Sequence, residues 1–333
     1  MATVLTGIKP TGDVHIGNYL GAIRPAVKMA NEGVNESLLF IADYHSLTSM
    51  HKGDELRKAI YGVAATWLAC GLDPNKTMLY KQSDIPEIFE LAWILSCFTP
   101  KGFMNRAHAY KARVAENEQV GKKDLDFGVN MGLYYYPVLM AADILLFSSD
   151  KVPVGEDQVQ HVEFARDMAQ KFNNNYGEIL KLPEAVVQKD SKVIPGLDGR
   201  KMSKSYGNTI PLFIPTKNQR KLIMKIKTDS SAPEDPKNPN DSIIFDLYKE
   251  FASVDQIENL RQRYENGIGW GDAKQALFEA IDSHLSTSRG IYDDLMANPE
   301  KIDLILQKGA VRARAKAQVL MQKIRQAVGV LPN

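Results

Sequence analysis

Thr3-Val4-Leu5-Thr6-Gly7-Ile8-Lys9-Pro10-Thr11-Gly12-Asp13-Val14-His15-Ile16-Gly17-Asn18 opens the chain with a short apolar strand that runs into a turn holding three glycines and a proline. Thr3–Leu5 reads as a buried strand ending at Gly7. Glycine lets the backbone approach a ligand closely, and the helix after such a turn presents unpaired N–H groups to an anion. The segment matches neither the Walker A pattern nor GxGxxG. By itself a Gly-rich turn is simply a chain reversal, and a lone His15 is a surface residue. Leu38–Ala42 and Thr77–Lys81 read as the next strands. Between them Leu56, Ile60, Val63, Ala64, Trp67 and Leu68 recur at helical spacing over Asp54–Cys70, which Gly71 stops. A second helix is expected over Pro86–Cys97. Strand, helix and strand in this rhythm predict an α/β fold with a parallel sheet and right-handed crossovers. Ligands of such sheets sit beyond the carboxyl ends of the strands, here Gly7–Asn18 and Asp43–His45.

The pattern changes near residue 210. Pro233, Pro236 and Pro239 mark a turn-rich stretch, after which Ile257–Tyr264, Asp272–Leu285, Ile302–Lys308 and Val311–Val328 read as helices. This divides the chain into an α/β part, 1–210, and a C-terminal helical part, 211–333. The 333 residues carry 41 Lys+Arg against 40 Asp+Glu, a net charge of +1, and are 44% hydrophobic. That is the composition of a soluble globular chain, and it excludes a polycation whose whole surface grips nucleic acid. Cys70 and Cys97 are the only cysteines, without a CxxC pair or a Cys/His cluster, so no structural metal is expected and the thiols suit a reducing compartment. The start of the chain lacks the basic region and long apolar run of a signal peptide. The longest apolar stretch, Pro137–Phe147, is too short to cross a bilayer and contains Asp143. The expectation is a cytoplasmic protein with no membrane partner.

Far downstream, Lys201-Met202-Ser203-Lys204-Ser205 follows the turn residues Pro195-Gly196-Leu197-Asp198-Gly199. Two lysines three apart on a Gly-flanked loop can reach one polyphosphate together, and ammonium groups suit the charge that builds on a leaving pyrophosphate. Alone, this would be a solvated basic loop. Together, Pro10-Thr11-Gly12-x-x-His15-Ile16-Gly17-Asn18 resembles the HIGH signature of class I aminoacyl-tRNA synthetases, and Lys201–Ser205 matches KMSKS in full and in the family's order. The resemblance spans Gly7 to Ser205, with Asn18 in place of the second histidine. It implies that His15, Lys201 and Lys204 are catalytic. It also implies an ATP site built from Lys9, Pro10, Thr11, Gly17, Asn18, Gly155, Glu156, Asp157, Val193 and the loop Lys201, Met202, Ser203, Lys204, Ser205.

A third segment bears on the amino acid. Tyr134–Phe147 is an apolar helix with one carboxylate, and Tyr136, Met140 and Asp143 share a face at i, i+4 and i+7. A buried carboxylate needs a donor. Either Asp143 pairs with an internal Arg or Lys, or it accepts the N–H of a ligand such as an indole, which is a donor only. Val152 and Val154 form one wall of a following strand, and Gly155-Glu156-Asp157 opens a helix. Tyr-Pro-x-Leu-Met-Ala-Ala-Asp-Ile-Leu followed by Val-Pro-Val-Gly-Glu-Asp-Gln resembles the tryptophanyl members of the class. The tyrosyl enzymes of bacteria carry a Gln-x-x-Asp helix and a Gly-Gly-Ser-Asp-Gln turn instead. By this resemblance Asp143 accepts the indole N–H while Leu5, Met140, Val152 and Val154 line the ring. Tyr136 and Gln158 hold the α-ammonium group, and His45 borders the pocket. Leu5 and Lys9 stand where many bacterial relatives have Phe and Gln, and the loop around Met104–Arg113 also departs from the common form.

The resemblance further implies a Rossmann-like parallel-sheet catalytic domain over 1–210, with a dimer-forming insertion around 100–150, and a helical anticodon-binding domain over 211–333. Its partners would be L-tryptophan, ATP with Mg²⁺, tRNA(Trp) and a second copy of the chain; no permanently bound cofactor is implied. On the last helix Lys308, Arg312, Lys316 and Lys323 fall within about 80° of the circumference. They form either a solvated face or a phosphate-tracking stripe. Two other readings compete. A nucleotidyltransferase acting on a small metabolite would not need so long a helical appendage. A non-catalytic binding paralogue would not need His15, Gly17, Lys201 and Lys204 intact.

Overall fold

The computed structural model describes residues 1–187 and 193–332. Strands β1 (Thr3–Ile8), β2 (Glu36–Ile41), β3 (Met78–Lys81), β4 (Lys151–Val154) and β5 (Glu184–Val187) form one sheet, all pairs parallel, in the order β3-β2-β1-β4-β5. In β2, Leu38 and Phe40 face one core while Leu39 and Ile41 face the other, and in β3 Met78 and Tyr80 alternate with Leu79 in the same way. Both faces are covered, as parallel sheets require. The order reverses at β1, whose neighbours are β2 on one side and β4 on the other, so the crevice outside the carboxyl ends of β1 and β4 is the place for a ligand. β1 runs past Gly7 to Ile8 rather than stopping at the glycine. A Cβ at Gly7 would lie 2.6 Å from the Phe40 ring, so the missing side chain lets Phe40 lie over the strand.

The Gly-rich turn leads into α1 (Ile16–Asn18), a widened turn at Tyr19–Ile23, and α2 (Arg24–Asn31). Pro25 has no N–H to give to the preceding turn, which fits a wide turn at that place. α3 (Asp43–Ser46) follows β2 directly, and α4 (Gly53–Ala69) is the first crossover helix. After β3 come α5 (Glu87–Ser96), α6 (Lys101–Met104), α7 (His108–Gln119) and α8 (Met131–Leu145). α7 has polar residues on all sides, which is why no periodicity marks it. α9 (Val159–Tyr176) follows β4 after a single tight turn over Glu156–Gln158. The remaining helices are α10 (Thr216–Ile223), α11 (Ile243–Tyr248), α12 (Val254–Glu265), α13 (Trp270–Ala297) and α14 (Pro299–Ala327).

One core lies between the sheet and α5, α8 and α9. The other lies between the sheet and α2, α4 and α11 to α13. α14 belongs to both. Ile302 and Leu306 near its start are buried in the second core, whereas Ala313, Ala317 and Met321 are buried in the first. It is also one helix where spacing predicted two, because Gly309 does not end it. A Cβ at Gly309 would fall 1.8 Å from the Leu79 carbonyl oxygen, so the glycine is the point at which α14 crosses the backbone of the edge strand β3. The basic residues of α14 are largely engaged: Arg312 donates to the carbonyls of Pro74 and Asn75, Lys316 pairs with Glu36, and Arg314 pairs with Glu87 at 2.9 Å. Of the four residues that read as either a solvated face or a phosphate-tracking stripe, Arg312 and Lys316 are therefore tied to the α/β part. Among the described residues, no helix is long and apolar enough to cross a membrane.

Candidate active site

The carboxyl ends of β1, β2 and β4 and one face of α8 enclose a cavity of about 700 Å³. Leu5, His45, Tyr136, Met140, Asp143, Val152, Val154 and Gln158 line it, and so do Lys9, Gly155 and Glu156 from the two strand-end turns. α8 starts at Asn130, whose side chain accepts the Leu133 N–H at 2.8 Å, and its i, i+4, i+7 face delivers Tyr136, Met140 and Asp143 together. Asp143 is 1% exposed. Its partner is neither Arg nor Lys. The Gln82 side-chain amide, just past the end of β3, donates to both carboxylate oxygens at 2.9 Å. His45 Nδ1 stands 3.8 Å from Oδ2. Burial raises the Asp143 pKa well above the usual carboxylate range; the Gln82 bond opposes this and the nearby Asp43 charge adds to it. Burial also lowers His45, to about 4, so its ring is neutral. Tyr136 gives its hydroxyl to a hydrogen bond with His161 at 2.6 Å, and burial lowers His161 too. Lys9 Nζ donates to Thr48 Oγ1 at 3.0 Å. The cavity is thus an apolar slot with one strong acceptor at its closed end and polar groups towards its mouth.

A second group of side chains gathers at the Gly-rich turn. His15 is the N-cap of α1: its Nδ1 accepts the Asn18 N–H at 3.2 Å, while Asn18 Oδ1 accepts the His15 N–H at 3.2 Å. This reciprocal capping box explains the asparagine at the fourth position of the motif. With Nδ1 accepting, the ring proton is on Nε2, which makes His15 a neutral donor. Burial and the Lys204 charge lower its pKa to about 4. Gly17 donates its N–H to Met202 Sδ at 3.3 Å, and a Cβ there would crowd the His15 ring at 3.0 Å. Lys204 Nζ donates to the Thr11 carbonyl at 2.6 Å, and burial lowers its pKa. The two motifs, some 180 residues apart, therefore touch through both Met202 and Lys204. Pro10 is buried, with its carbonyl accepting from Ser46 Oγ at 3.1 Å.

The remaining expected residues are peripheral to these contacts. Lys201 presents an exposed side chain, Ser203 and Ser205 share a hydroxyl–hydroxyl bond at 2.8 Å, Asp157 accepts from Gln158 at 3.1 Å, and Val193 is 63% exposed. Three residues escaped the sequence reading. Gln82 lies at a carboxyl strand end, so extending the strand-end rule to β3 would have found it. His161 sits within the quoted Val152–His161 segment but carried no assigned part. Asn208 had no local signal. It accepts the Ser203 N–H at 2.8 Å and donates to Asp198 at 2.6 Å and to the Lys201 carbonyl at 3.1 Å, which knits the basic loop together.

The family model for tRNA synthetases class I (W and Y) matches residues 1–286. A tryptophan–tRNA ligase of Neisseria meningitidis is 50% identical over 329 residues, covering 99% of this chain and 98% of the relative. One from Pseudomonas aeruginosa is 51% identical over 330 residues, covering 98% of this chain and 73% of the relative. Among solved structures, tryptophanyl-tRNA synthetase from Campylobacter jejuni, complexed with ADP and tryptophan, superposes with a TM-score of 0.91 at 46% identity; the match covers 98% of this chain and 99% of that one. Sheet order, the two touching motifs and these likenesses agree, and the chain belongs to the class I tRNA synthetases of the tryptophan and tyrosine family.

Proposed function

We propose that the chain works as a tryptophan–tRNA ligase, which activates L-tryptophan with ATP to tryptophanyl-AMP and pyrophosphate and then transfers tryptophan to the 3′ end of tRNA(Trp). The observation that carries this reading is the buried Asp143 at the closed end of an apolar cavity, beside the joined His15 and Lys204 motifs. Relatives at about half identity carry the same function in their names.

In the first step the tryptophan carboxylate attacks the α-phosphorus of ATP in line, and the bond to the β-phosphate oxygen breaks. Little covalent chemistry falls to the protein, which positions the groups and stabilises charge. Asp143 accepts the indole N–H, and Leu5, Met140, Val152 and Val154 hold the ring. Tyr136 and Gln158 take the ammonium group and Lys9 the carboxylate. His15 Nε2–H donates to a phosphate oxygen, while Lys201 and Lys204 meet the charge that collects on pyrophosphate. Gly17 and the strand-end turn Gly155–Asp157 receive the adenosine. Mg²⁺ belongs to this reading as a companion of the ATP phosphates. The helical part from residue 211 takes the anticodon arm, and the segment around 100–150 makes a homodimer. Val120, Phe127 and Met131, 65%, 56% and 73% exposed, support apolar surface for a second copy in that segment. The place of work is the cytoplasm.

ATP–pyrophosphate exchange measured with each of the twenty amino acids, then charging of total tRNA, tests the reading. Exchange with tryptophan alone is expected; exchange with tyrosine alone, or with none, overturns it. In Asp143→Ala, tryptophan-dependent exchange falls by about 100-fold or more while the KM for ATP barely moves, because a site built for an N–H donor loses its acceptor.

A further inference from the structure

Gln82 is fully buried and lies between the two polar groups at the closed end of the cavity. Its amide nitrogen is 2.9 Å from each oxygen of Asp143, and the His45 Nδ1 lies 3.2 Å from its amide oxygen and 3.0 Å from its amide nitrogen. Among the described residues no lysine or arginine pairs with Asp143, so the amide is the donor that offsets part of the desolvation of this carboxylate. An ionised carboxylate has about four acceptor positions, and Gln82 uses two, which leaves lone pairs for a ligand. A carboxyl that instead took up a proton would direct an O–H at the cavity and oppose an incoming N–H.

We propose that Gln82 is the positioning residue that makes Asp143 selective, orienting the carboxyl group and offsetting part of its desolvation so that its free oxygen positions accept a hydrogen bond from the ring of the amino acid. The proposal rests on the reading that this cavity holds tryptophan. The surrounding groups are spoken for. Asp43, on α3, accepts from Ser83 and from the Tyr44 N–H. Tyr136 is bonded to His161 and Lys9 to Thr48. Tyr80, buried on β3 with its phenol pKa raised by burial and by Asp143, has a hydroxyl that meets no hydrogen-bond partner among the described residues. Among the described residues Gln82 is therefore the one neutral donor bonded to the carboxylate.

The test compares wild type, Gln82→Leu and Gln82→Glu in pyrophosphate exchange, with tryptophan and with its benzothiophene analogue, which has sulfur in place of the N–H. In wild type the analogue is strongly disfavoured. In Gln82→Leu the KM for tryptophan rises by about 10- to 100-fold, the KM for ATP changes by less than about 2-fold, and the preference for tryptophan over the analogue collapses. Gln82→Glu regains tryptophan binding at acidic pH, where the new side chain carries a proton to donate, and loses it as the pH rises. Equal losses for tryptophan and analogue, or an unchanged KM for tryptophan, overturn the proposal. So does unfolding of both variants, which would make the amide a structural residue. If wild type itself shows no tryptophan-dependent exchange, the assignment of the cavity fails, and that outcome is separate from any result with the variants.

Discussion

His15 and His45 are both held neutral down to about pH 4, His15 by burial and Lys204, His45 chiefly by burial. In the unfolded chain a histidine takes up its proton near pH 6.5. The stability tied to these neutral rings is therefore complete above about pH 6.5 and is lost as the pH falls towards 4, since the unfolded state binds protons first. Asp143, whose pKa is raised by burial, acts in the opposite sense. His15→Asn keeps a side chain able to cap α1, so the difference between mutant and wild type isolates the ring. Urea midpoints measured at pH 7 and pH 5 should drop less on acidification in His15→Asn than in wild type; an equal drop would show that His15 titrates freely. The residue types at these positions could be read from the motif. The neutral donor form could not, because it follows from the Asn18 N–H reaching Nδ1, a contact made only in the folded turn.

At the scale of elements, α14 shows why periodicity alone misplaced a boundary. Spacing gave two helices, Ile302–Lys308 and Val311–Val328, and Gly309, a poor helix former of the kind that commonly ends helices, falls in the gap between them. The structure assigns it to close packing, with the helix axis passing over Leu79 where a methyl group has no room. Gly309→Ala should gain helix propensity yet lose about 3 kcal/mol in urea unfolding, since the backbone of β3 cannot yield as a side-chain end could. A neutral or stabilising result would show that α14 does not press on β3. The basic loop follows similar logic. Asn208 anchors it from five residues beyond Ser203, and Asn208→Ala should lower exchange activity by about 10-fold with the KM for tryptophan unchanged, because the phosphate-facing loop is loosened while the cavity is not. A raised KM for tryptophan would place Asn208 in the other half of the site.

Over the whole molecule, the α/β part and the helical part share their cores. Tyr19, immediately after the Gly-rich motif, is hydrogen bonded to His284 on α13 at 2.8 Å, and Arg24 pairs with Glu250 at 2.7 Å. Arg314 and Arg325 on α14 pair with Glu87 and Glu90 on α5. α14 also covers the edge strand β3, which would otherwise present unpaired backbone groups. A chain cut after residue 298 should lose its cooperative thermal transition, because the cut bares Leu79, the edge of β3 and the apolar residues beneath Ala313, Ala317 and Met321. Retention of a sharp transition would mean that the α/β part folds without its last helix.

The alternation of strands and helices, the Gly-rich turn, the Lys201–Ser205 loop and the one carboxylate in an apolar helix were all legible in the sequence. Each depends on local periodicity or on residues close together in the chain, and each led to the parallel sheet and to the residues around the cavity. Which residues meet across the chain was settled by the packing of the folded elements. The amide of Gln82 on Asp143 spans 61 positions, Lys204 on Thr11 spans 193, and Gly309 on Leu79 joins the last helix to an edge strand. A sequence carries no local mark of such pairings, because they are set by the sheet order and by the packing of whole elements on its two faces.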